Sequence, residues 1–143
     1  MKYEFIKKDA DTTVLKYKDK SFEFKRDINL QKMVQEVHSK ARTKMYIELT
    51  KQGIKKDDLV ITEVKDGKTY VDNSNLKEVE NYYTELQTLE LMDDICNRYT
   101  NMNFTELVVD IGLDEKNYNE IENFTTGISL AIKGSDNTPS TKD

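Results

Sequence analysis

Pro139 is the only proline in this chain. Nothing before it removes a backbone donor or clashes with a preceding turn, so no helix is broken by a pyrrolidine ring. A chain of 143 residues with that property is expected to consist mostly of long helices. Its apolar fraction is 36% and its charged fraction 34%, which implies a lean core under a heavily charged surface. The apolar residues recur with regular periods, so the chain is expected to fold.

Three short strands open the sequence. Residues 2–7, 12–17 and 20–25 read as short strands; Tyr3 and Phe5 alternate with charge in the first run, as do Phe22 and Phe24 in the third. Asp19-Lys20 supplies a turn between the second and third runs. A sheet this small needs a helix packed on it. Asp27 or Asn29 then caps a helix running to about Gln52. Leu30, Val34, Val37, Ala41, Met45 and Leu49 form its apolar stripe, and Gly53 suits the left-handed position after its end. Asp66-Gly67 sits between the β-formers Leu59 to Val64 and Lys68 to Val71, a strong local signal for a hairpin.

Asn75-Leu76-Lys77-Glu78 reads as a capping box opening the longest helix, to about Tyr99. Its expected inner face is Leu76, Val79, Tyr83, Leu86, Leu89 or Glu90, Ile95 and Tyr99. Asn103-Phe104-Thr105-Glu106 repeats the box for a short helix ending at Gly112. Asp114 is expected to cap a final helix carrying Tyr118, Ile121, Phe124 or Thr125, Ile128 and Ile132. The expected fold class is α+β, mainly α-helical: an N-terminal β-hairpin or small sheet and a second short hairpin, packed with three to four helices. One globular domain is expected over residues 1–134 and a disordered polar tail over 135–143.

Most site chemistry finds no support in the residues. The five glycines match no phosphate-binding fingerprint, so no nucleotide cofactor is expected. Cys96 is the only cysteine, which excludes an intrachain disulfide and a thiolate zinc site, and it reads as a buried inert thiol. His38 is the only histidine and lies beside the first helical stripe, a structural position rather than a general base. Glu90, Asp93 and Asp94 read as a solvated face, with Arg98 one turn after Asp94. No catalytic residue, metal or cofactor is therefore expected. The N-terminus has no apolar signal region and no run is long enough to span a bilayer.

Charge is divided along the chain. Residues 1–56 carry 15 Lys/Arg against 8 Asp/Glu, and residues 57–143 carry 7 against 19. The lysines alternate with acids and make no dense basic run, so nucleic-acid binding is not expected. The two signs suit either mutual packing of the halves or head-to-tail self-association. Tyr82 and Tyr83 are adjacent on one helix and cannot both face one core; Tyr46 and Tyr118 lie near stripe edges. These four tyrosines are the candidate protein-interaction residues.

The order of elements resembles a known family. A charged hairpin around Lys20-Ser21-Phe22-Glu23-Phe24-Lys25 leads into an amphipathic helix. The Asp66-Gly67-Lys68-Thr69-Tyr70 hairpin and the helix Leu76 to Tyr99 follow. Phe104-Thr105-Glu106-Leu107-Val108-Val109-Asp110-Ile111-Gly112-Leu113 and a polar tail complete the chain. This layout looks like that of the tail assembly chaperones of long-tailed phages and prophages of low-GC Gram-positive bacteria. The resemblance implies binding to the tape measure protein, recruitment of tail tube protein, a place in the host cytoplasm and absence from the mature virion. It also implies a longer frameshifted form, for which the region is Ile132-Lys133-Gly134. It supplies no catalytic residues. Two readings from other classes stand beside it: an inhibitor of a host defence protein, whose acidic half would imitate nucleic acid, and a structural virion or connector protein.

Overall fold

The structure, a computed structural model, describes residues 2–134. The expected polar tail at 135–143 lies outside them. The fold is α+β and mainly helical, with a three-stranded and a two-stranded antiparallel sheet. The chain, read above as one domain, divides into two compact units. One comprises Met1–Gln35 with Glu90–Asp143; the other is Glu36–Leu89.

The first unit opens with the meander β1 (Glu4–Asp9), β2 (Thr12–Tyr17) and β3 (Lys20–Lys25). The register pairs Leu15 with both Phe5 and Phe22, and Thr13 with Phe24. Opposed residues share a face, so these side chains line one side of the sheet. Leu15 and Phe24 are fully buried and Tyr17 nearly so. The turn from β2 to β3 is made by Lys18-Asp19, with Lys18 at φ 51°, one residue earlier than the sequence implied.

Helix α1 (Ile28–Gln35) follows, capped by Asp27, whose Oδ1 accepts from the Leu30 N–H at 3.0 Å. It runs beside α5 (Tyr118–Lys133), and α5 also lies along β3. The Asp27 N–H donates to the Ile132 carbonyl at 3.0 Å, pinning the start of α1 to the end of α5. An aromatic cluster fills the space between sheet and helices. Phe124 lies within ring contact of Tyr3, Phe5 and Phe104, and Phe24 contacts Phe5 and Tyr99. Gly127 on α5 faces the Phe5 ring, and a β-carbon there would stand 2.8 Å from Cδ2 and nearer still to Cε2.

Helix α4 (Phe104–Ile111) has the expected capping box: Asn103 accepts from the Glu106 N–H, and Glu106 from the Asn103 N–H, both at 2.8 Å. Asp93 adds a second contact from the preceding helix, its Oδ1 accepting from the Phe104 N–H at 2.9 Å. Gly112, at φ 91°, ends α4. The final helix begins at Tyr118 and is capped by Asn117, not by Asp114. Asp114 instead makes a local turn, accepting from the Lys116 N–H.

The second unit begins where the sequence implied an unbroken helix. The chain departs from helical geometry at Glu36 (φ −93°, ψ 1°), and α2 (Val37–Lys51) starts afresh. Neither glycine nor proline marks that break. Helix α2 ends in a Schellman turn: Gly53, at φ 72°, donates to the Thr50 carbonyl and Ile54 to the Leu49 carbonyl. A 3₁₀ turn over Lys56–Leu59 leads into the hairpin β4 (Ile61–Lys65) and β5 (Lys68–Asp72). Both loop residues have positive φ, 54° at Asp66 and 74° at Gly67, as a type I′ turn requires.

Helix α3 (Ser74–Thr100) comes next, its residues up to Leu89 in the second unit and the rest in the first. It starts one residue before the expected cap Asn75, with the Asp72 carboxylate accepting from Ser74 N–H and Oγ. The core of the second unit is Met45, Leu49 and Leu76, joined by the half-buried Tyr46, Val79 and Tyr83. Leu86 and Leu89 do not join it. They are 46% and 41% exposed, which overturns their placement on the inner face.

Candidate protein-binding surface

The four tyrosines singled out by sequence have different surroundings. Tyr46 and Tyr83 are half-buried and pack on the core of the second unit. Tyr82 is 58% exposed and meets Tyr83 edge-on, with ring centroids 5.5 Å apart. Tyr118 is exposed at the start of α5 in the first unit, its hydroxyl donating to Glu122 at 3.3 Å. Tyr46 also borders a groove of 390 Å³ over the end of α2, which it shares with Ile54 and Lys55.

Sequence reasoning missed two exposed surfaces of the second unit. The first is on the expected hairpin, whose exposure no period revealed. Every residue of β4 and β5 is exposed. The register pairs Thr62 with Val71 and Val64 with Thr69, so one face is a small uncharged plane of β-branched side chains. Val64 is 74% exposed and Val71 64%. The opposite face carries Ile61 and Tyr70 among charged residues, both half-exposed. No third strand joins this sheet among the described residues, so both of its edges offer unpaired backbone groups. β2 in the first unit shows the contrast, with four of its six residues buried.

The second feature is an outward stripe on α3. Tyr82, Leu86 and Leu89 are spaced by four and three, which places them on one side of the helix, and all three are exposed. Glu78 and Glu85 are exposed beside them. Between Lys77 and Arg98 the sequence holds six carboxylates and no Lys or Arg. The carboxylate of Glu80 is held by Arg42 at 3.7 Å, on the side of α3 that faces α2.

The titratable groups perform structural work. Tyr17 donates to Asp110 Oδ2 at 2.7 Å and Lys20 donates to the same oxygen at 2.6 Å. Lys20 first and Tyr17 second hold the Asp110 carboxyl below the usual carboxylate range. Burial first, then the Asp110 contact, push the Tyr17 phenol above its ordinary value. Burial pushes the Cys96 thiol up to about 12, with the charge of Asp93 adding to it. That leaves the thiol protonated and unreactive at neutral pH. His38 is exposed on α2. Among the described residues no group of three or more His, Cys, Asp or Glu is placed to hold a metal ion. No helix there is long and apolar enough to cross a membrane.

The chain matches no protein-family model, no curated protein and no solved structure.

Proposed function

We propose that this chain acts without catalysis, by binding other proteins, and that it serves as a tail assembly chaperone of a long-tailed phage or prophage. In this reading it binds the tape measure protein in the host cytoplasm, helps recruit tail tube protein and leaves before the virion matures. The family assignment rests on the order of elements described above. The observation that carries the binding function is the β4–β5 hairpin, which has no buried residue. A lone two-stranded ribbon is marginal in water. Apolar side chains held in solvent on such a ribbon are better explained by a partner that covers them than by folding. Open strand edges add main-chain donors and acceptors to the same surface.

Co-expression with the tape measure protein of the same phage or prophage genome tests the reading. The expected result is more soluble tape measure protein and a complex that co-purifies at low salt. Val64→Lys with Val71→Lys should weaken that complex while leaving the chain folded, because neither side chain is packed. Equal solubility of the tape measure protein with and without this chain, and no co-purification, would sink the chaperone reading.

A further inference from the structure

We infer that the outward face of α3 between Glu78 and Leu89 takes an amphipathic helix whose apolar seam is flanked by Lys or Arg. The inference rests on the protein-binding reading but uses a surface separate from the hairpin. Tyr82, Leu86 and Leu89 follow the spacing by which one helix presents a ridge to another. They cover about 10 Å along the axis, two turns, which matches the i, i+4, i+7 anchors of a helical ligand. An extended peptide would offer side chains at a period of two and could not keep pace with that ridge.

Charge sets the rest of the partner's chemistry. Glu78 and Glu85 are exposed along one flank of the ridge, next to Leu89. From Glu78 to Leu89 the sequence holds three carboxylates and no Lys or Arg. Arg42 reaches Glu80 at 3.7 Å on the α2 side of the helix, away from the ridge. A helix docking on the ridge brings one of its flanks beside Glu78 and Glu85. Carboxylates on that flank would repel, and a neutral flank would leave the glutamates partly desolvated without a partner. A lysine or arginine flank resolves both costs and speeds encounter at low salt.

The test uses the full chain and fluorescein-labelled synthetic helical peptides of about 20 residues, long enough to span the ridge with a turn to spare at each end. One peptide has a leucine seam with lysine flanks and one the same seam with glutamate flanks. A third has the composition of the first in scrambled order. Fluorescence anisotropy should show binding of the lysine-flanked peptide that weakens as salt rises. It should show little binding of the other two. Leu86→Ser should weaken the lysine-flanked complex about tenfold or more, the effect of losing a central anchor. Glu78→Lys with Glu85→Lys should transfer the preference to the glutamate-flanked peptide. Three results would overturn the inference. They are equal binding of the scrambled peptide, an unchanged preference after the charge reversal, or low-salt self-association of the chain that Leu86→Ser abolishes. The last would make the occupant a second copy. The hairpin double variant should keep peptide binding. Lysine-selective peptide binding without any tape measure complex therefore sinks the chaperone reading alone, and a tape measure complex without lysine-selective peptide binding sinks the α3 inference alone.

Discussion

Gly127 is the residue whose substitution sets two known effects against each other. Alanine in a helix interior is favoured over glycine by about 1 kcal/mol. Here the added methyl would press into the Phe5 ring, which Tyr3, Phe24 and Phe124 already hold in place. Overpacking of that kind costs about 1–3 kcal/mol. Gly127→Ala should therefore destabilise by about 1 kcal/mol net, read as a lower midpoint in urea; a higher midpoint would show that Phe5 swings aside. Asp110 gives a prediction about pH. Its carboxyl is held below the ordinary value, so the contacts with Lys20 and Tyr17 contribute their full stability above that ordinary value. The contribution fades as pH falls through the depressed one. Asp110→Asn should melt below the wild type at neutral pH, and the gap in Tm should close toward strongly acidic pH. A gap that stayed constant with pH would assign the effect to packing instead.

At the scale of elements, α3 divides into faces that sequence periodicity placed only in part. Ile95 is fully buried and Leu86 is half in solvent, although both sat on the same expected stripe. Ile95→Ala should cost about 2–5 kcal/mol, whereas Leu86→Ser should change stability by no more than about 0.5 kcal/mol. Chemical denaturation of the two variants measures the contrast; a large loss at Leu86 would return it to the core. The elements themselves were legible for local reasons. Asn103 and Glu106 form their box from adjacent residues, and Asp66-Gly67 makes its turn from its own backbone freedom. Two misplacements had other origins. Asn117 displaced Asp114 as cap because both are good capping residues and only one could sit at the helix start; the break at Glu36 carries no glycine or proline that a sequence reading could have used. Of the candidate surface, only Tyr82 was both named from the sequence and found well exposed in the second unit. The exposure of the hairpin faces and of the α3 ridge was not legible, since a period reveals which side chains share a face but not whether anything covers it.

At the scale of the molecule, the two units differ in how much they bury. Nearly all of the largest fully buried side chains, among them Phe24, Phe124, Leu15, Leu107, Ile95 and Ile128, belong to the first unit. Met45 is the one contributed by the second among the described residues. Local stability follows buried apolar contact. Native-state hydrogen exchange should therefore show protection rising along α3, from its N-terminal half to the turn containing Ile95 and Cys96. The hairpin amides should exchange faster than those of β2. Uniform protection along α3 would mean that the chain opens as a single cooperative body.

Cys96 turns that difference into a clock. It is the only thiol in the chain, fully buried and protonated at neutral pH. A maleimide added to the native protein should find nothing to alkylate until the surrounding side chains separate. The rate of labelling then counts openings of the first unit and ignores those of the second. The same silence leaves the surface free for reporters. A cysteine substituted at Leu86 or at Val64 could carry a dye while the native thiol stays in place, so that each exposed patch could be watched, in turn, as a partner arrives.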